Sequence, residues 1–175
     1  MNRLPNVFLI GPSGAGKSTV GREVAKLLKM DFYDMDLFIQ NRTGVEIAWI
    51  FDKEGEAGFR ARETEALHEM VKQSNAIIAT GGGVVLSQEN RELLKQADKV
   101  VLLKVGLEKQ HERAATNQQT RPLLRGENIK EKLISMAEER TPLYEALADV
   151  SFDTDSMHVK LLAKEIANYL RREGF

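Results

Sequence analysis

Gly11 to Thr19 reads GPSGAGKST, and this short run constrains the chain more than anything else in its 175 residues. It satisfies the pattern G-x-x-x-x-G-K-[ST], whose mechanics require a strand before it and a helix after it. Both are legible. Val7 to Ile10 is a short apolar run ending at a glycine, as a buried strand does, and from Lys17 onward Val20, Val24, Leu27 and Leu28 recur on one helical face. Without a Cβ, the glycines let backbone N–H groups turn inward and approach an anion closely. The loop Gly14, Ala15, Gly16, Lys17, Ser18 and Thr19 thus cradles phosphates, and the positive end of the following helix faces the same anion. Lys17 reaches the β- and γ-phosphates and Ser18 ligates Mg²⁺. A chance match in a chain of this length is on the order of 1% at ordinary glycine frequency. A nucleotide triphosphate site is the reading.

The remainder of the chain alternates in the same manner. Strand-like runs end at Phe32-Tyr33-Asp34-Met35-Asp36, span Ala76 to Thr80 and Lys99 to Val105, and close with Val150 to Asp153. Helical patterns cover Leu37 to Lys72 in two or three pieces, Ser87 (a cap) to Ala97, Leu107 to Thr116, Ile129 to about Arg140, and the amphipathic set Val159, Leu162, Ile166 and Leu170. Residues 117–128 are polar and read as a mobile loop. Trp49, the only tryptophan, reads as the anchor of a small core with Ile47, Ile50 and Phe51. Strands alternating with helices imply an α/β fold of three layers, a parallel sheet covered on both faces.

Composition excludes other classes. A formal net charge of −1 gives no global attraction to nucleic acid or to an anionic membrane, and the absence of cysteine removes disulfides and thiolate metal sites. No run approaches the ~20 apolar residues of a membrane span, and the N-terminus lacks the h-region of a signal peptide, so a cytoplasmic location is expected. His68, His111 and His158 are scattered without ligand spacing.

No [NT]-K-x-D motif for guanine occurs, and no later strand that is apolar throughout ends in a lone Asp (Val150 to Asp153 carries Ser151), so Asp34-x-Asp36 is the natural source of the metal-facing acids. At a strand end facing the ligand crevice, a period of two sets both carboxylates on one side. The alternative is that Asp36 caps the helix beginning at Leu37.

Taken together, several segments resemble the shikimate kinase family over nearly the whole chain. They are GPSGAGKST at Gly11, FYDMD at Phe32, NRTG at Asn41, EGEAGFRARE at Glu54, TGGG at Thr80, TRPLL at Thr120 and ERTPLY at Glu139. The resemblance implies one P-loop kinase domain over 1–175, with a central five-stranded parallel sheet like that of nucleoside monophosphate kinases. It further implies an acceptor-binding helical segment at about 37–65 and a lid loop at about 117–128.

The expected partners are shikimate and ATP, with Mg²⁺ and a monomeric chain. The resemblance assigns the shikimate carboxylate to Arg60 and Arg140, helped by the N–H groups of Gly82 and Gly83. Guanidinium forks suit a carboxylate where lysine does not. The alternative for the arginines is surface pairing with Glu56, Glu63 or Glu139. Asp36 is implied as the catalytic group that orients the accepting 3-hydroxyl, and nearby arginines are expected to keep it ionised. Asp34 is implied as a water-mediated Mg²⁺ partner beside Ser18. Arg121 is implied as the lid arginine that folds over the phosphates, joining Lys17 as a catalytic cation. Where many family members carry an arginine near the adenine, this chain has Ala114, with Arg113 beside it. That leaves the adenine contact unassigned.

Overall fold

The computed structural model describes residues 4–116 and 122–175. Its strands are β1 (Asn6–Ile10), β2 (Asp31–Asp34), β3 (Ala76–Ala79), β4 (Lys99–Lys104) and β5 (Val150–Asp153). They lie in the order β2-β3-β1-β4-β5, and every pairing is parallel. The helices are α1 (Lys17–Leu28), α2 (Met35–Thr43), α3 (Ile47–Met70), α4 (Gln88–Leu94), α5 (Leu107–Thr116), α6 (Ile129–Leu147) and α7 (Val159–Arg172).

Alternation along the central strands sets the layers. Val7, Leu9, Ile77, Val101 and Leu103 face α1 and α7, packing on Val24, Leu162, Ile166 and Leu170. Phe8, Ile10, Ile78, Val100 and Leu102 face the other side, against Leu67, Met70 and Leu94. Both faces of β1 are therefore fully buried, as a parallel sheet between two helical layers requires. A third, small cluster joins Ala114 of α5, Leu133 of α6 and Leu124 of a 3-10 turn at Pro122–Leu124. The polar loop expected at 117–128 is thus structured and partly buried in its second half, because Leu124 is apolar and finds this cluster. Thr120 and Arg121 lie outside the described residues.

Two boundaries differ from the sequence reading. β2 stops at Asp34, and Asp36 lies in the first turn of α2 rather than on the strand. Asp34, not Asp36, is the cap, since its carboxylate accepts from Leu37 N–H at 3.1 Å. Helix α6 continues through Pro142 to Leu147, its far half held by the buried Tyr144. Helix α3 is broken at Gly55 (φ 72°, ψ −178°), a conformation that a side chain would strain.

Trp49 is 48% exposed and does not anchor the core. Ile47, Ile50 and Phe51 occupy the i, i+3, i+4 stripe that faces inward, and residue 49 falls off it.

Candidate active site

The carboxyl ends of β1, β2 and β3 open on one crevice, the place where α/β sheets hold ligands. After β1 comes the glycine loop. Gly11 (φ 145°) is required there because a Cβ would strike the Leu103 carbonyl of the neighbouring strand. Lys17 is buried along the loop and donates to the Gly11 and Pro12 carbonyls at 2.7 and 2.9 Å. Gly14, Ala15, Gly16 and Thr19 line a pocket together with Arg113, Thr154 and Met157. Arg113 donates to the Gly14 carbonyl, whereas Ala114 is fully buried against α6. Of the two neighbours, Arg113 is therefore the one beside the glycine loop. Sequence reading could not settle this, since it depends on the rotation of α5.

After β2, Ser18 Oγ donates to Asp34 Oδ2. Asp36 keeps accessible surface toward the open crevice, yet protein surrounds it at the crevice floor. Removal from bulk water, then the charges of Asp34 and Glu63, push its carboxyl up to about 6, against the opposing pull of Lys17 and Arg60. Nearby arginines were expected to keep it ionised; Arg60 opposes the rise without preventing it, so the carboxylate form prevails only above about 6. Arg60 is already paired, donating to Glu63 at 2.8 Å and to Glu56 at 3.3 Å, so little of its field is left for Asp36.

After β3 comes Thr80, whose hydroxyl donates to the Leu9 carbonyl at 2.9 Å and ties the glycine run to the end of β1. Each of the three glycines then makes room for a different charged group. A Cβ at Gly81 would lie 3.0 Å from Glu63 Oε2 and 3.4 Å from Asp36 Oδ1. At Gly82 it would meet Ser13 N at 3.1 Å and Arg140 Nη1 at 3.6 Å, and at Gly83 it would overlap the Arg60 guanidinium. The N–H groups of Gly82 and Gly83 donate to no acceptor among the described residues.

Arg60 and Arg140 thus meet over the glycine run, from α3 and α6, in a cleft whose apolar wall includes Ile47, Phe51 and Phe59. Arg140 is 7% exposed and Glu63, between the arginines, 1%. Burial raises the Glu63 carboxyl, with Arg60 and then Arg140 opposing. Buried side-chain atoms without a partner concentrate here: Arg60 Nε, Arg140 Nε and Glu63 Oε2, with Asp155 Oδ1 the other among the described residues. Ionisable groups left incompletely paired in a cleft mark a place built to receive a charged ligand. Glu63 and Tyr144 were not among the expected site residues. Tyr144 donates its hydroxyl to the Gly82 carbonyl.

A family model described as shikimate kinase matches residues 13–171. The chain belongs to the shikimate kinase family. A shikimate kinase of Legionella pneumophila (strain Corby) is 49% identical over 171 residues, covering 98% of this chain and 97% of its own. The structure of shikimate kinase from Acinetobacter baumannii in complex with shikimate superposes with a TM-score of 0.93 at 42% identity, covering 98% of this chain and 96% of that one. Likeness to deoxyadenosine kinase from M. mycoides (TM-score 0.63, 20% identity, 95% of this chain and 99% of that one) is one of fold. Membership makes the chain an enzyme, a P-loop phosphotransferase of the shikimate pathway.

Among the described residues, no helix is long and apolar enough to cross a membrane. His68 pairs with Glu89, and His158 caps α7.

Proposed function

We propose that this chain transfers the γ-phosphoryl group of ATP to the 3-hydroxyl of shikimate, as a single chain acting in the cytoplasm with Mg²⁺. One observation carries the reading. Two guanidinium groups and two unengaged backbone N–H groups converge at one end of a cleft, while Ser13 and Asp36 join its other end to the phosphate loop. A small ring bearing a carboxylate at one edge and hydroxyls at another matches that polarity.

The roles follow from position. Arg60 and Arg140 fork the carboxylate, with Gly82 and Gly83 N–H groups adding donors. The ring lies against Phe51 and Phe59, whose centroids are 4.8 Å apart. Asp36 accepts a hydrogen bond from the 3-hydroxyl and aims that oxygen at the phosphoryl group. Because the transition state is loose, aim matters more than base strength. A carboxyl pushed up to about 6 is nonetheless a better proton acceptor than an ordinary one. Lys17 leaves the loop carbonyls for phosphate oxygens, and Arg121 is assigned to the phosphates on its TRPLL motif.

Ser18 and Asp34 are the residues suited to hold Mg²⁺. They are oxygen donors already in contact beside the phosphate loop, the chemistry that ion takes. Bound there, the ion neutralises phosphate charge. Arg113 supplies a guanidinium at the nucleotide end of the crevice, beside Gly14.

The test is ADP release measured with and without shikimate, with gluconate as a competing acceptor. Shikimate-dependent release is expected. Release supported by gluconate alone, or independent of any acceptor, overturns the reading.

A further inference from the structure

Tyr144 is 2% exposed and four residues beyond Arg140 on α6, so the two side chains share one helical face. That spacing survives Pro142, which sits between them without ending the helix. The tyrosine hydroxyl donates to the carbonyl of Gly82, the middle glycine of the run under the arginines. This carbonyl and the N–H of Gly83 belong to the same peptide. No cis peptide bond occurs among the described residues, so the two groups point in opposite directions. Pinning the carbonyl toward α6 turns the Gly83 N–H the other way. Both glycines line the acceptor cleft, and neither N–H is used by the protein itself.

The same hydroxyl also meets Arg140, which lies against it as a charge and a side-chain hydrogen-bond partner. The Gly82 backbone lies close to the same guanidinium, whose Nη1 would be 3.6 Å from a Cβ placed there. We propose that Tyr144 is a positioning residue for acceptor recognition: it holds the Gly82–Gly83 peptide with its N–H toward the substrate carboxylate and keeps Arg140 beside that peptide. The phenol stays a donor throughout the working range, since burial pushes it up to about 12 despite the lowering effect of Arg140.

This inference rests on the acceptor reading given above, and Tyr144→Phe tests it. The expected result is a KM and a calorimetric Kd for shikimate raised about three- to tenfold, the scale of one well-placed hydrogen bond. KM for ATP, and kcat at saturating shikimate, should stay within about twofold. A tyrosine that merely fills the core would lower the melting temperature and leave KM for shikimate unmoved, and that outcome overturns the inference. A second measurement needs no variant. Saturating shikimate should shift the backbone amide resonance of Gly83 in the ¹⁵N-labelled wild-type chain, and an unmoved resonance overturns the inference even if the variant fails to fold. No turnover of shikimate by the wild-type chain overturns the acceptor reading and this inference together. Normal wild-type turnover with an unmoved variant KM overturns this one alone.

Discussion

Asp36 should impose an acid limb on the reaction centred near pH 6. The group is raised from an ordinary 3.8 to about 6 by the protein that surrounds it at the crevice floor, although one side stays open to the crevice, with Asp34 and Glu63 adding to the effect. Its useful form is the carboxylate, so activity is retained above that value and lost as pH falls through it. A simple titration at about 6 leaves roughly nine-tenths ionised at about pH 7 and roughly one-tenth at about pH 5. The free-enzyme parameter kcat/KM for shikimate should therefore fall about tenfold over that interval. The product should be detected directly by ³¹P NMR, because coupling enzymes bring pH limbs of their own. Asp36→Asn should be slow and should lose the limb.

Stability offers an independent check of opposite sign. A carboxyl whose folded value is raised contributes stability that is fully present below its unfolded value and is lost as pH rises through the folded one. Asp36→Asn should thus melt higher than the parent chain above about pH 6, and the gap should close below about pH 4. A kcat/KM flat between about pH 5 and 7, or an identical limb in Asp36→Asn, refutes the reasoning. The second result would transfer the limb to Glu63, the other carboxyl that burial raises.

Gly83→Ala places a methyl group where the Arg60 guanidinium lies, so the fork must move. Calorimetry should show shikimate affinity reduced at least about tenfold with ATP affinity intact, the loss expected for a displaced charged hydrogen bond. Unchanged shikimate affinity would refute it. Asp34→Asn keeps the helix cap, because Asn and Asp cap equally well, but removes the charge beside Ser18. The Mg²⁺ concentration for half-maximal rate should rise severalfold, and an unaltered Mg²⁺ titration would return Asp34 to capping alone.

What could be read from the sequence was whatever is local. The glycine loop carries its own strand and helix, so the β1-loop-α1 unit that places Lys17 and Ser18 follows from nine consecutive residues. The alternation of strands and helices gave the layers, because burial on both faces leaves continuous apolar runs such as Val7 to Ile10. Asp36 was misplaced by one element, while Asp34 does end β2. A period of two holds only while the strand lasts, and capping by Asp34 ends it before Asp36 is reached. Helix α6 outran Pro142 because the loss of one N–H is outweighed by burying Tyr144 beyond it. Arg113 and Ala114 could not be told apart, since which of them meets Gly14 depends on how α5 lies on the glycine loop.

The acceptor end resisted sequence reading for a related reason: its parts act across elements and in mixed roles. Arg60 was weighed as either a ligand contact or an ion-pair partner, and it is built for both. It holds Glu63 and Glu56, yet its Nε remains without an acceptor. Arg140 is left in the same condition, 7% exposed and with Nε unpaired. Burying charge costs several kcal/mol per ion unless partners offset it. Arg60, Arg140 and Lys17 face Asp34, Asp36 and Glu63 here, and this near balance leaves little uncompensated charge among the side chains themselves. The same balance sets the terms of binding. An arriving carboxylate and triphosphate add only negative charge, so further cations must accompany them. Mg²⁺ beside Ser18 and Asp34, with the phosphate contact proposed for Arg121, would offset part of that added charge as phosphoryl transfer begins.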